Sequence, residues 1–305
     1  MLALLGIIVV FGAVFGGYLV EKGNPWVLLQ PAELLIVGGA AVGIVLVGNP
    51  PALIRKMLSG AVTAFLSPPC SRQSYLRSLR MLYEVFSFTQ RAGVMAFEAD
   101  VENPAKSRIF SHYPELLKDR DTLRFFCDSM RMLVIGVTTP PELDHLMDLD
   151  IEIQRRGQRE PVAAISSVAD ALPGLGIVAA VLGVVITMEA IGGSPETVGQ
   201  KVAAALVGTF LGILLCYGVV GPIASRLESV STAKTHRLEM FRNATIAFAR
   251  GSSPILSVEY GRRSIPLDSR PAFEEMEITI RRDAKIPPVA PPPGSEANAP
   301  QPTAA

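Results

Sequence analysis

The sequence has few charged residues, and they are unevenly placed. Asp, Glu, Lys and Arg make up 18% of the 305 residues, against roughly 25% in soluble proteins. Most of them lie in 52–170 and 223–285. Residues 1–51 and 171–222 are almost uncharged, which excludes an ordinary soluble protein and predicts a membrane protein with large aqueous parts. The charged residues of these two segments are Glu21, Lys22, Glu33, Glu189, Glu196 and Lys201.

Cysteine and histidine are also scarce, with three of each. The cysteines show no paired spacing, so we expect free thiols, and the histidines show no ligand spacing, so we expect no metal site. The chain has no Walker loop, nucleophile elbow or dinucleotide fingerprint. We therefore expect neither an enzyme nor a bound cofactor. The net charge of zero gives no reason to expect a nucleic-acid partner.

Four apolar segments are long enough for transmembrane helices, each of which needs about 20 residues. The first has no basic region before it and no A-x-A site, so we expect a retained helix and not a signal peptide. The pattern predicts an all-α integral membrane protein with two transmembrane hairpins and a helical cytoplasmic domain. The segments are 2–20, 33–50, 171–191 and 202–222.

Basic residues near the span ends predict the orientation. They follow the second span, precede the third and follow the fourth, whereas the two hairpin loops offer only Lys22 and Lys201. Both termini and the segment 52–170 are therefore expected in the cytoplasm. The predicted divisions are a first hairpin (1–51), a cytoplasmic domain (52–170), a second hairpin (171–222), a helical C-terminal segment (223–285) and a disordered Pro- and Ala-rich tail (286–305).

Several helices are predicted outside the spans, over 74–90, about 120–137 and 223–250, the last closed by Gly251. Thr139 and Glu142 form a capping-box pattern that starts a further helix near 140. We expect Pro161 to interrupt that helix before the membrane.

Small residues characterise the third and fourth spans, with Gly174, Gly176 and Gly183 in one and Gly208 and Gly212 in the other. In lipid, such residues allow close approach of helix backbones. We expect these spans to pack tightly, either within the chain or against a neighbour.

Polar residues within or beside the spans are candidates for an ion pathway. Thr209 and Thr187 either bond their own helix or line the pathway. Glu33 lies at the outer mouth of the second span, as an interfacial or a pathway residue. Asp170 is either the N-cap of the third span or a carboxylate at the inner mouth. Pro173 is expected in the first helical turn.

No span carries an acidic residue near the bilayer midplane. A proton pathway is expected to need a titratable group there. If this protein conducts ions, another chain must bring the carboxylate.

The sequence resembles the MotA family of flagellar motor stator subunits. The similar stretches include "GAVFGGYL" (12–19), "QPAELLIVGGAAVG" (30–43), "FEADVENP" (97–104), "IFSHYPEL" (109–116), "DALPGLGIVAAVLGVV" (170–185), "LVGTFLGILLCYG" (206–218) and "VEYGRRSIPLDSRPAFEEME" (258–277). The resemblance implies a ring of five chains around two MotB chains in the bacterial inner membrane. MotB would supply the ion-carrying aspartate, and the cytoplasmic domains would push on the rotor protein FliG.

The resemblance also implies roles for single residues in the membrane. Pro173 and Pro222 match prolines that couple ion flow to cytoplasmic movement, and Thr209 matches a threonine beside the ion site. Sodium-driven relatives have a threonine where this chain has Ala180, so protons are the expected coupling ion.

At the rotor surface, Glu98 matches an acidic residue that faces the rotor, and Asp150 is a further acidic position. The family's arginine falls at Gln90, with Arg91 next to it, so the basic position is displaced by one residue.

Three other readings remain open. An ExbB- or TolQ-type energising subunit has three spans, whereas four are counted here. A secondary transporter predicts inverted repeats, which the two hairpins do not show. A membrane-anchored scaffold without ion flux is the third.

Overall fold

The computed structural model describes residues 2–66, 70–189, 192 and 194–283, and the regular elements within these ranges are all helical. The expected tail, 286–305, and the outer end of the third span, 190–191, lie outside the described residues. The N-terminal part contains the apolar α1 (Leu2–Val20), the one-turn α2 (Pro25–Leu28), the apolar α3 (Pro31–Gly48) and the amphipathic α4 (Pro51–Leu66). The pattern of the sequence did not predict α4.

A compact helical region follows, which we call the polar domain (residues 70–151 and 235–280). Its first helices are α5 (Arg72–Ala92), α6 (Glu98–Glu102), α7 (Pro114–Lys118) and α8 (Arg120–Ile135), joined in part by 3-10 turns. The predicted helices at 74–90 and 120–137 correspond to α5 and α8. The N-cap of α5 is Ser71, whose side chain accepts the N–H of Ser74 at 3.2 Å.

The longest helix, α9 (Pro140–Met188), has 49 residues and is about 74 Å long at 1.5 Å per residue. The capping box predicted at its start is present: the Thr139 backbone N–H donates to Glu142 Oε2 at 2.8 Å. This hydrogen bond lowers the pKa of the Glu142 carboxyl.

Two predictions about α9 were wrong, because the helix runs without a break through Pro161 and Pro173. A proline inside a helix removes one N–H and costs about 3 kcal/mol. Packing compensates here: Pro161 is buried, and the following turn packs Ala164 against α11. Consequently Pro173 is not in a first turn, and Asp170 is not an N-cap.

The next helix, α10 (Pro195–Leu215), passes through a π-helical segment (Cys216–Val220) into α11 (Gly221–Ala249). The Gly221 N–H donates to the carbonyl of Cys216, five residues back. This wider turn directly precedes Pro222, whose missing N–H and ring disturb ordinary helical bonding. The helix therefore continues past Pro222, and α11 ends before Gly251 at φ +84°, as predicted.

The polar domain is completed by α12 (Pro254–Arg263) and α13 (Phe273–Asp283). Its core contains a row of edge-to-face rings in which Phe110 contacts Phe97 at 6.0 Å and Phe126 at 6.3 Å. Phe126 in turn contacts Phe241 of α11 at 5.4 Å between ring centroids. Aromatic packing thus fixes α8 and α11 together in one core.

Three helical stretches are long and apolar enough to cross a membrane: residues 25–48, part of α9, and part of the continuous helix 195–249. The apolar part of α1, Leu4–Val20, is shorter. The predicted divisions at 170/171 and 222/223 fall inside α9 and at the start of α11. Two continuous helices therefore join the apolar spans to the polar domain.

Candidate functional site in the apolar helices

The apolar parts of α9 and α10 meet along a glycine seam, defined by Gly176 and Gly183 on α9 and Gly208 and Gly212 on α10. A Cβ atom placed on Gly176 would lie 2.7 Å from the Gly208 carbonyl oxygen, and one on Gly212 would lie 2.5 Å from the Leu172 carbonyl oxygen. Ordinary contact begins at 3.4 Å. The two backbones therefore touch directly, and the expected tight packing occurs within the chain.

Thr209 lies in this seam and bonds across it. Its hydroxyl is 3.5 Å from the Gly176 carbonyl oxygen on α9, longer than the roughly 2.5–3.0 Å of an ordinary O–H···O bond, so the contact is weak. It does not bond the carbonyl four residues back on its own helix. A half-buried hydroxyl held this weakly can form a hydrogen bond to another partner.

Glu33 is more deeply buried than an interfacial residue would be, with 7% of its surface exposed. A Cβ atom on Gly208 would lie 2.5 Å from its Oε2, and one on Gly183 would lie 3.4 Å from its Oε1. The carboxylate of α3 thus fills space that two glycines of the seam leave open. Its Oε2 atom is buried and has no hydrogen-bond partner among the described residues. A buried carboxylate oxygen normally has a donor, so this position calls for a water or a group from another chain.

Thr187 is fully buried near the C-terminal end of α9, and its hydroxyl donates to the Gly183 carbonyl four residues back at 2.8 Å. This is the ordinary own-helix bond that sequence analysis offered as one alternative. Ala180 lies on α9 opposite Gly208 of α10, and its backbone N would be 3.2 Å from a Cβ on Gly208. Its methyl group offers no ligand to a metal ion.

The remaining predicted membrane residues lie at the ends of the apolar stretches. Asp170 is exposed on α9, one turn before the half-buried Pro173. Pro222 is exposed in the first turn of α11, after the π-helical segment. The two prolines therefore lie where the two continuous helices leave the seam for the polar domain.

The predicted rotor residues lie on the surface of the polar domain. Gln90 and Arg91 are exposed in the last turn of α5, and Glu98 is exposed in the first turn of α6. Between them, Gly93 turns the chain at φ +88° and Phe97 is fully buried. This anchored turn presents Arg91 and Glu98 on one exposed corner. Asp150 is half-buried elsewhere, on α9, and accepts a hydrogen bond from Gln154 Nε2 at 3.0 Å.

No sequence pattern predicted the polar contacts that join α11 to the rest of the polar domain. Arg237 donates to Asp119 Oδ2 at 3.2 Å and to Ser78 Oγ at 3.1 Å, and Arg242 bonds Asp144 at 2.8 Å. The partners are 98 to 159 residues apart in the sequence, so no local spacing reveals them.

Comparisons with known proteins agree with this architecture. Residues 4–93 match the "Motility protein A N-terminal" family model, and residues 118–240 match the "MotA/TolQ/ExbB proton channel family". The Motility protein A of Salmonella typhimurium and that of Escherichia coli are each 37% identical over 92% of this chain and 95% of the relative.

Solved structures are similar in fold. The structure of C. jejuni MotAB gives a TM-score of 0.74 at 18% identity, covering 88% of this chain and 98% of that chain. The MotAB stator complex from Bacillus subtilis gives 0.71 at 21% identity, covering 88% and 96%. The matched relatives are motility proteins of a proton channel family and not enzymes. The chain belongs to the motility protein A (MotA) family.

Proposed function

We propose that this chain is a stator subunit of a bacterial flagellar motor, which with MotB forms a proton-conducting complex and converts ion flow into torque. The observation that carries the proposal is the glycine seam, where Thr209 and Glu33 place polar atoms inside apolar helices. The chain has no Asp or Glu in residues 171–188 or 202–222. Glu33, the buried carboxylate beside the seam, lies in the first turn of α3 and is assigned to the outer mouth, so the carrier carboxylate is proposed to come from the partner.

An exposed apolar face of α9 is available to bind the partner's helix. Ile177, Val181 and Val184 are 56%, 57% and 45% exposed on α9, at the i, i+4, i+7 spacing of one helix face. This face supports an assembly in which MotB helices occupy the centre. Two similar solved structures are of MotAB, which supports MotB as the partner, and we propose five copies of this chain around two MotB chains.

The pathway is proposed to run beside the seam. Thr209 lines the pocket of the partner's aspartate, Glu33 and Thr187 lie toward its outer mouth, and Asp170 lies at its inner mouth. Sodium needs several oxygen ligands to replace its hydration shell, whereas a proton needs a titratable group and a water path. Ala180 supplies no oxygen from its side chain, so protons are the proposed ion. No cofactor is required.

Movement is proposed to reach the rotor through the two continuous helices. Pro173 and Pro222 are positions where the helical hydrogen-bond ladder is already interrupted. A change at the ion site can therefore bend α9 and α11 at these points. The polar domain then moves, and its corner with Arg91 and Glu98 pushes against FliG. Arg91 takes the basic role in place of Gln90. Asp150 is proposed as a further acidic contact.

The proposed location is the inner membrane, with four spans formed by α1, α3 and the apolar parts of α9 and α10. Both termini and the polar domain lie in the cytoplasm. Arg55 and Lys56 at the start of α4 and Arg226 on α11 support this orientation, because basic residues favour the cytoplasmic side.

The test is complementation in a flagellated strain that lacks its own stator genes. Expressing this chain together with its MotB partner should restore swimming, and expressing either alone should not. Restored outer-membrane uptake in a strain lacking ExbB, without restored swimming, would contradict the proposal and favour an energising subunit of that type.

A further inference from the structure

The methionines of this protein are mostly buried. A methionine side chain is flexible and apolar, and it usually fills irregular gaps in a core. Of the nine methionines in the described residues, two are exposed: Met95 at 66% and Met188 at 54%. Met132 is half-buried, and the other six belong to hydrophobic clusters: Met57, Met81, Met130, Met147, Met240 and Met276.

The two exposed methionines lie in different surroundings. Met188 ends the apolar stretch of α9 that is long enough to cross a membrane, so the bilayer covers it in the proposed topology. Met95 lies on the polar domain, in the 3-10 turn Val94–Phe97 between α5 and α6. Within the described part of the polar domain, Met95 is therefore the methionine that faces water.

The geometry of this turn keeps Met95 at the surface. In a 3-10 helix, side chains three residues apart lie on the same side, so Met95 shares a side with Glu98 and not with Phe97. Phe97 is fully buried, and its ring centroid lies 6.0 Å from that of Phe110. An aromatic ring thus occupies the core position beside the turn, and Met95 is not part of that core.

An exposed thioether can be oxidised to a sulfoxide by a peroxide, whereas a buried one is shielded from the reagent. The sulfur lone pair attacks one oxygen of hydrogen peroxide, so that an S–O bond forms while the O–O bond breaks. The proton on the attacked oxygen passes to the departing hydroxide, which leaves as water. The sulfur loses two electrons and the peroxide gains them, so no other reactant is needed.

Oxidation of Met95 would change the corner that carries Arg91 and Glu98. A sulfoxide is polar, whereas the thioether that it replaces is apolar and flexible. Its oxygen would add a hydrogen-bond acceptor on the side of the turn that Glu98 occupies. A polar group that is covered by a partner without a new hydrogen bond opposes the contact, because it loses its water.

We propose that Met95 is a peroxide-sensitive modification site, at which oxidation to methionine sulfoxide weakens the contact between this corner and the rotor. The site follows from the exposure of Met95 and the burial of the other methionines, whereas its effect on the rotor contact rests on the proposed function. Because Met95 lies outside the core, the oxidised protein stays folded and keeps its place in the membrane.

The first measurement maps oxidation in the purified full-length chain, in complex with its MotB partner in lipid nanodiscs and without the rotor. The complex is treated briefly with dilute hydrogen peroxide and quenched with free methionine, and mass spectrometry of its peptides gives the oxidised fraction of each methionine. We expect Met95 to react about tenfold or more faster than Met81, Met130 and Met240, which react only when the protein opens locally.

The control for the map is the same protein unfolded in dodecyl sulfate and urea, where the four methionines should react at similar rates. Equal rates in the folded complex would overturn the site. The map does not involve the motor, so its result is independent of the proposed function.

The second measurement is the swimming speed of the complemented strain after a peroxide pulse, with each strain compared with its own untreated speed. The unchanged chain should lose a larger fraction of its speed than Met95→Leu, which has no sulfur at this position. Met95→Gln imitates the polar sulfoxide and should slow swimming without peroxide. Leu267→Gln is the matched control, because Leu267 is 79% exposed on the polar domain but lies outside the corner, and it should not slow swimming.

Equal fractional losses for the unchanged chain and Met95→Leu, or normal swimming of Met95→Gln, would overturn the effect on the rotor contact. If the untreated strain with the unchanged chain does not swim, the proposed function has failed, and the oxidation map alone decides whether Met95 is the modification site.

Discussion

The glycine seam allows a sharp prediction, because Gly174 and Gly176 lie two residues apart on α9 in opposite surroundings. A Cβ atom at Gly176 would lie 2.7 Å from the Gly208 carbonyl oxygen and 3.2 Å from the Gly212 Cα atom. At Gly174 it would have no neighbour within 4 Å. We therefore expect Gly176→Ala to force α9 and α10 apart and Gly174→Ala to leave them in place.

The magnitude follows from the distances. To reach the 3.4 Å at which ordinary contact begins, the carbonyl oxygen facing Gly176 must move by about 0.7 Å. Overpacking of this kind costs about 1–3 kcal/mol. Replacing glycine by alanine in a helix contributes up to about 1 kcal/mol in the other direction. That gain is common to both variants, so their difference isolates the overpacking cost.

The assay is the apparent melting temperature of the purified stator complex in one detergent, measured for the unchanged protein and both variants. Gly176→Ala should melt measurably below Gly174→Ala, since about 1 kcal/mol shifts a protein of about 150–250 residues by about 2–4 °C and a larger one by less. Swimming should fall in parallel, because the Thr209 hydroxyl loses its 3.5 Å approach to Gly176. If the two variants have the same melting temperature, direct backbone contact between α9 and α10 does not stabilise the seam.

Three further predictions concern the polar domain. Burial raises the pKa of the Cys127 thiol to about 12, so it should remain a neutral thiol and resist a maleimide at pH 8 until the protein is unfolded; fast labelling of the folded protein would contradict this packing. Arg91→Glu and Glu98→Lys change exposed residues, so both variants should assemble normally, but cells that carry either one should swim poorly. Matched charge reversals on the rotor should restore swimming in part. Unchanged swimming with both variants would show that the two residues do not belong to the interface. Asp119→Asn leaves the largely buried Arg237 without its carboxylate, and we expect a destabilisation of about 1–3 kcal/mol in chemical unfolding, whereas no measurable loss would show that Ser78 and solvent suffice.

Features set by local sequence were predictable. The Thr139–Glu142 capping box and the stop at Gly251 depend on residues within one turn of each other, and both are present. The small residues of the third and fourth spans indicated close helix packing because few other physical reasons place glycines in lipid-facing helices. The motifs for the MotA family also lie in short contiguous stretches.

Features set by tertiary contacts were not predictable. Pro161 reads locally as a helix break, yet packing of α9 against α11 keeps the helix intact. Glu33 stayed open between an interfacial and a pathway residue, because a sequence does not reveal which face of α3 meets Gly183 and Gly208. The same holds for Arg237 and Asp119, which are 118 residues apart. The periodicity of one helix carries no information about its partner.

The central claim is that this chain forms a proton pathway whose carrier carboxylate belongs to MotB. The most direct test is the fall in internal pH of cells or vesicles that contain the complex, recorded without sodium at a fixed membrane potential. We predict proton influx with the unchanged pair, none after the partner's membrane aspartate is replaced by asparagine, and a reduced rate in Thr209→Val. Influx that requires added sodium, or that persists without the partner's aspartate, would contradict the account.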